Sequence, residues 1–271
     1  MEVNPEKREK LKNFYFSIKD CRKCSLGNTR MNFVFGGGNS NAAIVFIGEA
    51  PGKNEDLQGK PFVGQAGKIL DSLLESIGFV RSDVFIANVL KCRPPQNRDP
   101  EISEINLCKG YLFKQLEIID PAIICTMGRY STRLVLETDQ GINTLRGKVF
   151  RIGSRIIIPI NHPAAALYTP SRLQLLKDDF IRIKTVFDKI SQRGLQASGK
   201  EISIDIIPAE NISGQALKSV DLQTAQDSGK ISAGNEKKEQ ENGRPAGAEA
   251  DKKVPADLKN VQGGSRQLGL F

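Results

Sequence analysis

Five cysteines and a single histidine are the most chemically distinctive residues of this 271-residue chain. Cys21 and Cys24 form a Cys-x-x-Cys pair, and Cys92 and Cys108 follow with fifteen residues between them. A lone Cys-x-x-Cys serves equally as a redox pair or as half a metal site. A second pair makes four thiolates available, which suits Zn²⁺ or an iron–sulfur cluster. The spread of Cys92 and Cys108 over a loop and a helix favours the larger cluster, although spacing alone leaves the metal open. Cys125 lies inside the apolar run AIICTMG (122–128) and reads as a buried core thiol. His162 falls in the polar stretch NHPAAALYTPS (161–171). Glu49 and Glu55 lie in GEAPGKNED, and Asn88 opens NVLKCRPP. These groups can move protons, stabilise charge and read a polar edge.

The elements that must position them alternate. AAIVFIG (42–48), VFIAN (84–88), AIICTMG (122–128) and RIIIPI (155–160) are short apolar runs bounded by turn signals, as expected of strands buried on both faces of a parallel sheet. Helical patterns lie around them, over residues 5–21, 64–79, 99–121 and 170–190. In the second of these, Ile69, Leu70, Leu73, Leu74 and Ile77 share one face. The expected fold class is α/β: a central parallel four-stranded sheet flanked by helices. In such sheets the site lies outside the carboxyl ends of the strands. That rule selects GEAPG (48–52), NVLKCRPP (88–95) and NHPAAALYTPS, which all fall at the same end. A dinucleotide-binding turn is excluded: GEAPG is not G-x-G-x-x-G, and the GGG at 36–38 precedes the first strand.

Composition divides the chain into a folded domain over residues 1–190, a disordered linker over 191–264 and a terminal peptide over 265–271. From Ser191 to Leu270 there is no Phe, Tyr, Trp or Cys, too little apolar surface to offset a backbone ordering entropy of roughly 1–2 kcal/mol per residue. Residues 191–271 carry 11 basic and 11 acidic side chains, so the net charge of +8 belongs to residues 1–190. A basic domain suits a polyanion, most simply nucleic acid. No run is long and apolar enough to cross a membrane, and residues 1–20 have no apolar targeting core, so a cytoplasmic protein is expected.

GEAPGKNEDLQGKPFVGQAG (48–67), NVLKCRPPQNRDP (88–100) and NHPAAALYTPSR (161–172), in this order and spacing, resemble the family 4 uracil-DNA glycosylases, the iron–sulfur branch of their superfamily. The resemblance runs from about Cys21 to Ile190. It implies a [4Fe–4S] cluster held by Cys21, Cys24, Cys92 and Cys108, and excision of uracil from DNA. A base must leave the stack before its glycosidic bond can be reached, so the site should be a pocket for a flipped nucleotide.

By the same resemblance, Phe62 stacks on uracil, a contact worth roughly 1–3 kcal/mol. Asn88 reads the O4/N3–H edge. Glu55 stands where the 5-methyl of thymine would go, and burying a methyl there would desolvate the carboxylate. Gly48 and Ala50 join the uracil-binding set, and Gly48 and Gly52 allow close backbone approach. Uracil leaves as an anion with charge on O2. His162 is the donor aimed at that oxygen, and one such donor contributes roughly 2.7–4 kcal/mol. Glu49 orients water toward the sugar C1′ or offsets its positive charge. Arg93 and Arg98 are expected on phosphates, Ser171 at the DNA, and Leu167 or Tyr168 as the minor-groove wedge. The chain departs from the family pattern at Ala165, Ala166 and Tyr168, where relatives often carry larger residues and an Arg. It also lacks the KRRIH-type insertion of relatives that trap their DNA, so turnover is expected.

The ending QLGLF (267–271) resembles the peptide with which bacterial repair proteins engage the β sliding clamp. Leu268, Leu270 and Phe271 would fill an apolar pocket, with Gln267 bonded at its rim. The expectation is therefore a monomeric, nucleoid-associated bacterial repair enzyme tethered to the clamp. A non-catalytic iron–sulfur DNA-binding module is the alternative, and an electron-transfer protein is a third reading.

Overall fold

The computed structural model describes residues 5–167, 169–193 and 206–208. Seven strands make one sheet: β1 (Gly37–Gly38), β2 (Ile44–Gly48), β3 (Phe85–Asn88), β4 (Ile123–Met127), β5 (Val149–Ile152), β6 (Arg155–Ile160) and β7 (Ile206–Pro208), in spatial order β1-β3-β2-β4-β6-β5-β7. The helices are α1 (Pro5–Ile18), α2 (Leu26–Thr29), α3 (Lys53–Gln58), α4 (Gln65–Ser76), α5 (Ile102–Ile119), α6 (Arg129–Leu136), α7 (Ile142–Leu145) and α8 (Pro170–Arg193).

The four apolar runs read from the sequence are β2, β3, β4 and β6, and they pair in parallel at the centre of the sheet. The expected four-stranded parallel sheet is nevertheless corrected to a mixed sheet of seven described strands. β1 runs antiparallel to β3, and β5 runs antiparallel to β6 with β7 beside it. These edge strands lack the continuous apolar signal. β1 is two glycines, and β5 turns Arg151 to solvent. The β5–β6 hairpin closes through Gly153–Ser154, with Gly153 at φ 57, the left-handed geometry that favours glycine in a two-residue turn. α8 passes the expected domain boundary at residue 190, and β7 falls within the stretch read as linker.

Both sheet faces are covered. Ile44 and Phe46 of β2 pack in one core with Leu70, Leu73 and Leu74 of α4 and Phe180 of α8, whose ring stacks on Phe46 at 5.5 Å. The alternate residues Val45 and Ile47 face the opposite way by the strand period and are also buried. Tyr15 of α1 meets Phe35 edge-on at 5.5 Å in a separate aromatic group. No described helix is long and apolar enough to cross a membrane.

Parallel registry brings the strand ends together. Gly48 lies opposite Asn88 and Met127 opposite Ile160. The chain leaving β3 stays tied to β2, because Val89 N–H donates to the Gly48 carbonyl and Leu90 N–H to that of Glu49, each at 3.0 Å. The three polar segments therefore open at one end of the sheet.

Candidate active site

A cavity of about 330 Å³ lies at these ends, and Glu49, Ala50, Glu55, Phe62, Asn88, Arg98 and His162 all line it. The sequence-selected cluster is thus one place. Gly48 sits behind it: a Cβ there would overlap Asn88 Oδ1 and lie 2.7 Å from Phe62 Cζ, so only glycine lets the two side chains meet.

Asn88 is 2% exposed, and its Oδ1 accepts no hydrogen bond. Arg155 Nε is the other such buried side-chain atom among the described residues. An unpaired buried acceptor costs roughly 1–3 kcal/mol, and this one belongs to a residue that lines the cavity. Phe62 is held at φ 51, a strained value for a bulky residue. Arg81 clamps it by donating to the carbonyls of Pro61 and Phe62 while pairing with Asp71 at 2.6 Å. Its ring lies near-parallel to that of His162, with centroids 5.5 Å apart and planes at 28°.

Each ionisable side chain is fastened to backbone. Glu55 Oε1 accepts from the N–H groups of Val63 and Gly64, both at 2.9 Å, so this wall and the Phe62 loop brace each other. The Ala164 N–H donates to His162 Nδ1 at 3.2 Å, which places the imidazole proton on Nε2. Burial lowers the His162 pKa to about 4, against a weaker opposing pull from Glu55, so the ring is neutral at pH 7. Glu49 Oε1 accepts from Tyr130 N–H at 2.9 Å, at the start of α6. Burial raises its pKa, and the N–H groups of Tyr130 and Arg129 counter that shift.

The residues expected on DNA fare differently. Arg98 forks onto the buried Glu104 at 2.6 and 3.0 Å, so a phosphate would have to compete for it. Arg93 bonds Asn97 Oδ1 at 2.7 Å. Leu167 is exposed just past the short turn Pro163–Ala166, and Ser171 is exposed in the first turn of α8. Tyr168 and the peptide 265–271 lie outside the described residues.

Cys21, Cys24, Cys92 and Cys108 converge on a second hollow, together with Phe33 and Tyr111. All four are free thiols. Tyr111 Oη donates to Cys21 Sγ and Arg30 to Cys92 Sγ, each at 3.1 Å. Burial pushes the Cys108 thiol up to about 12, so a thiolate there needs a cationic partner. No three His, Cys, Asp or Glu side chains among the described residues converge tightly enough for a single ion. Four cysteine thiols around one hollow make a set of soft donors. Cys125 is separate and fully buried in the sheet.

Residues 35–184 match the uracil DNA glycosylase superfamily. The chain belongs to that superfamily. It is similar to the type-4 uracil-DNA glycosylase of Saccharolobus solfataricus, with 49% identity over 176 residues, 62% of this chain and 82% of the relative. The type-4 uracil-DNA glycosylase of Archaeoglobus fulgidus is 46% identical over 183 residues, 65% and 92% of the two chains. That of Thermotoga maritima is 38% identical over 176 residues, 64% and 92%.

Sequence reasoning missed three supports of this superfamily site. Gly128 has φ 98, and a Cβ on it would stand 2.5 Å from Glu49 Oε1. A glycine between an apolar run and a helix was the available signal. Arg81 gave none, because its partners are carbonyls. Lys91 lies in a quoted motif, yet a lysine ordinarily reads as solvent-facing, whereas this one is 0% exposed.

Proposed function

We propose that the chain is a monofunctional uracil-DNA glycosylase, which draws a uracil nucleotide out of DNA and hydrolyses its N-glycosidic bond to leave an abasic site for base excision repair. The observation that carries this reading is the unpartnered Asn88 Oδ1 in the cavity wall. Uracil N3–H is the donor it lacks, and the Asn88 amide then donates to uracil O4. Cytosine carries no proton on N3 and an amino group at C4, so it meets both groups with the wrong polarity.

The remaining side chains take roles from their anchoring. Phe62 supplies the stacking surface. Glu55, tied to two N–H groups, bars a 5-methyl group. As the C1′–N1 bond breaks, its electrons pass to the base, and His162 Nε2–H donates to the charge growing on O2 without giving up its proton. The carboxylate of Glu49 faces the positive sugar and steers the water whose oxygen bonds C1′. Water supplies the hydroxyl on C1′, and its released proton balances the departing uracil anion.

A [4Fe–4S] cluster on Cys21, Cys24, Cys92 and Cys108 would supply a tie between the segment after α1 and the CRPPQNR loop. The hydrolysis itself transfers no electrons. QLGLF would engage a sliding clamp through Gln267, Leu268, Leu270 and Phe271, with residues 191–264 as tether, raising effective concentration on DNA. The support for that part is the peptide's sequence.

The test is incubation of the purified protein with a uracil-containing oligonucleotide, followed by alkali. Strand scission at uracil alone is expected. No scission would overturn the enzymatic reading in favour of a non-catalytic DNA-binding module.

A further inference from the structure

Lys91 is buried, and its ammonium donates to the Asn88 carbonyl at 2.9 Å and to Gln115 Oε1 at 2.6 Å. Gln115 in turn donates to the Phe35 carbonyl at 2.9 Å, which fixes the acceptor in place. Cys92 is the chain neighbour of Lys91. Among the described residues no carboxylate pairs with this ammonium, and both of its acceptors are neutral. A buried ammonium without a counter-charge is costly. The Lys91 ammonium is therefore bonded on one side to α5 and on the other to the backbone of a residue that lines the cavity.

We propose that Lys91 is a positioning residue that ties α5, through Gln115, to the base-reading end of β3, holding Asn88 in register for the extruded base. The inference rests on the uracil-reading role assigned to Asn88 above. Ammonium stems are long enough for this, whereas a neutral side chain at position 91 would leave the Asn88 carbonyl unpaired beside the cavity.

The test uses the full chain purified with its native iron, in wild-type, Lys91→Met, Asn88→Ala and doubly substituted forms. Iron and sulfide per chain and single-turnover excision of uracil are measured on each. Lys91→Met is expected to keep its iron and to lose about ten- to a hundredfold in excision, the range for a hydrogen bond from a charged group. On the Asn88→Ala background the same change is expected to cost less than about twofold, because a residue acting through Asn88 has nothing left to position. Gln115→Leu, which removes the other anchor of the ammonium, is expected to shift excision in the same direction with iron retained. It serves as the test if Lys91→Met does not fold. Equal losses on both backgrounds would overturn the proposal, as would unchanged excision in Lys91→Met or Gln115→Leu, or a loss that simply tracks missing iron. Absence of excision by the wild-type chain would overturn the underlying uracil reading and this coupling with it.

Discussion

Asn88→Ala separates stability from function. In the native fold Oδ1 is buried with no partner, at a cost of roughly 1–3 kcal/mol. Alanine removes that acceptor and adds no bulk against Gly48. The side chain also packs beside Gly48 and Phe62, so part of the gain is lost with it. A net gain near 1 kcal/mol is expected, which for a domain of this size raises Tm by about 2–4 °C. Excision moves the other way. Two hydrogen bonds to the base disappear, and its N3–H enters the pocket unpaired, a combined loss of about 3–5 kcal/mol. That corresponds to a fall of roughly two to four orders of magnitude in single-turnover rate. Thermal unfolding and excision of a uracil oligonucleotide, measured on one preparation, check both halves. A variant that is less stable and still excises uracil at the wild-type rate would refute the reasoning, since Oδ1 would then be a structural acceptor and not a reader of the base.

Four further outcomes are expected. His162→Ala should lower the excision rate about 10²–10³-fold, as loss of one charge-stabilising donor does, with DNA binding in a gel-shift assay retained. Because burial holds His162 at about 4, the wild-type pH–rate profile should show no step near pH 6.5. Activity should instead fall on acidification as Glu49 takes up its proton, with a midpoint raised from the ordinary glutamate value by burial; a step at 6.5 would contradict the neutral imidazole. Gly128→Ala places a Cβ at 2.5 Å from Glu49 Oε1 in a left-handed backbone, and steady-state kinetics should show a larger loss in kcat than change in KM. Removing residues 267–271 should abolish clamp pull-down and leave excision on short oligonucleotides unchanged.

The parallel centre of the sheet was legible because β2, β3, β4 and β6 are each apolar on both faces and end in turn residues. β1 and β5 were not, because a Gly-Gly pair and a half-solvated VFRI carry no comparable pattern, and β7 lies in the alternating run EISIDIIP (201–208), which reads only as transiently extended. Glu49, Asn88 and His162 could be grouped beforehand because each follows a buried run, and Phe62 joined them through the family resemblance. Their supports were hidden for physical reasons. The clamp on Phe62 runs from Arg81 to main-chain carbonyls, which leave no trace in residue type. Arg98 read as a free cation because its acceptor, Glu104, comes within reach only when α5 winds its first turn. Lys91 is the extreme case, a charge whose burial depends on groups 24 residues away in the chain.

Glu49, Glu55 and His162 each take a main-chain N–H within a few ångströms of the cavity, and that shared anchoring sets where the motion of a catalytic cycle must occur. None of the three can swing aside without breaking its tether. The travelling is left to the nucleotide, which must unpair and rotate toward a wall that stands still. Turnover should then keep time with the opening of the duplex, running faster where uracil faces a poor partner than where it faces adenine.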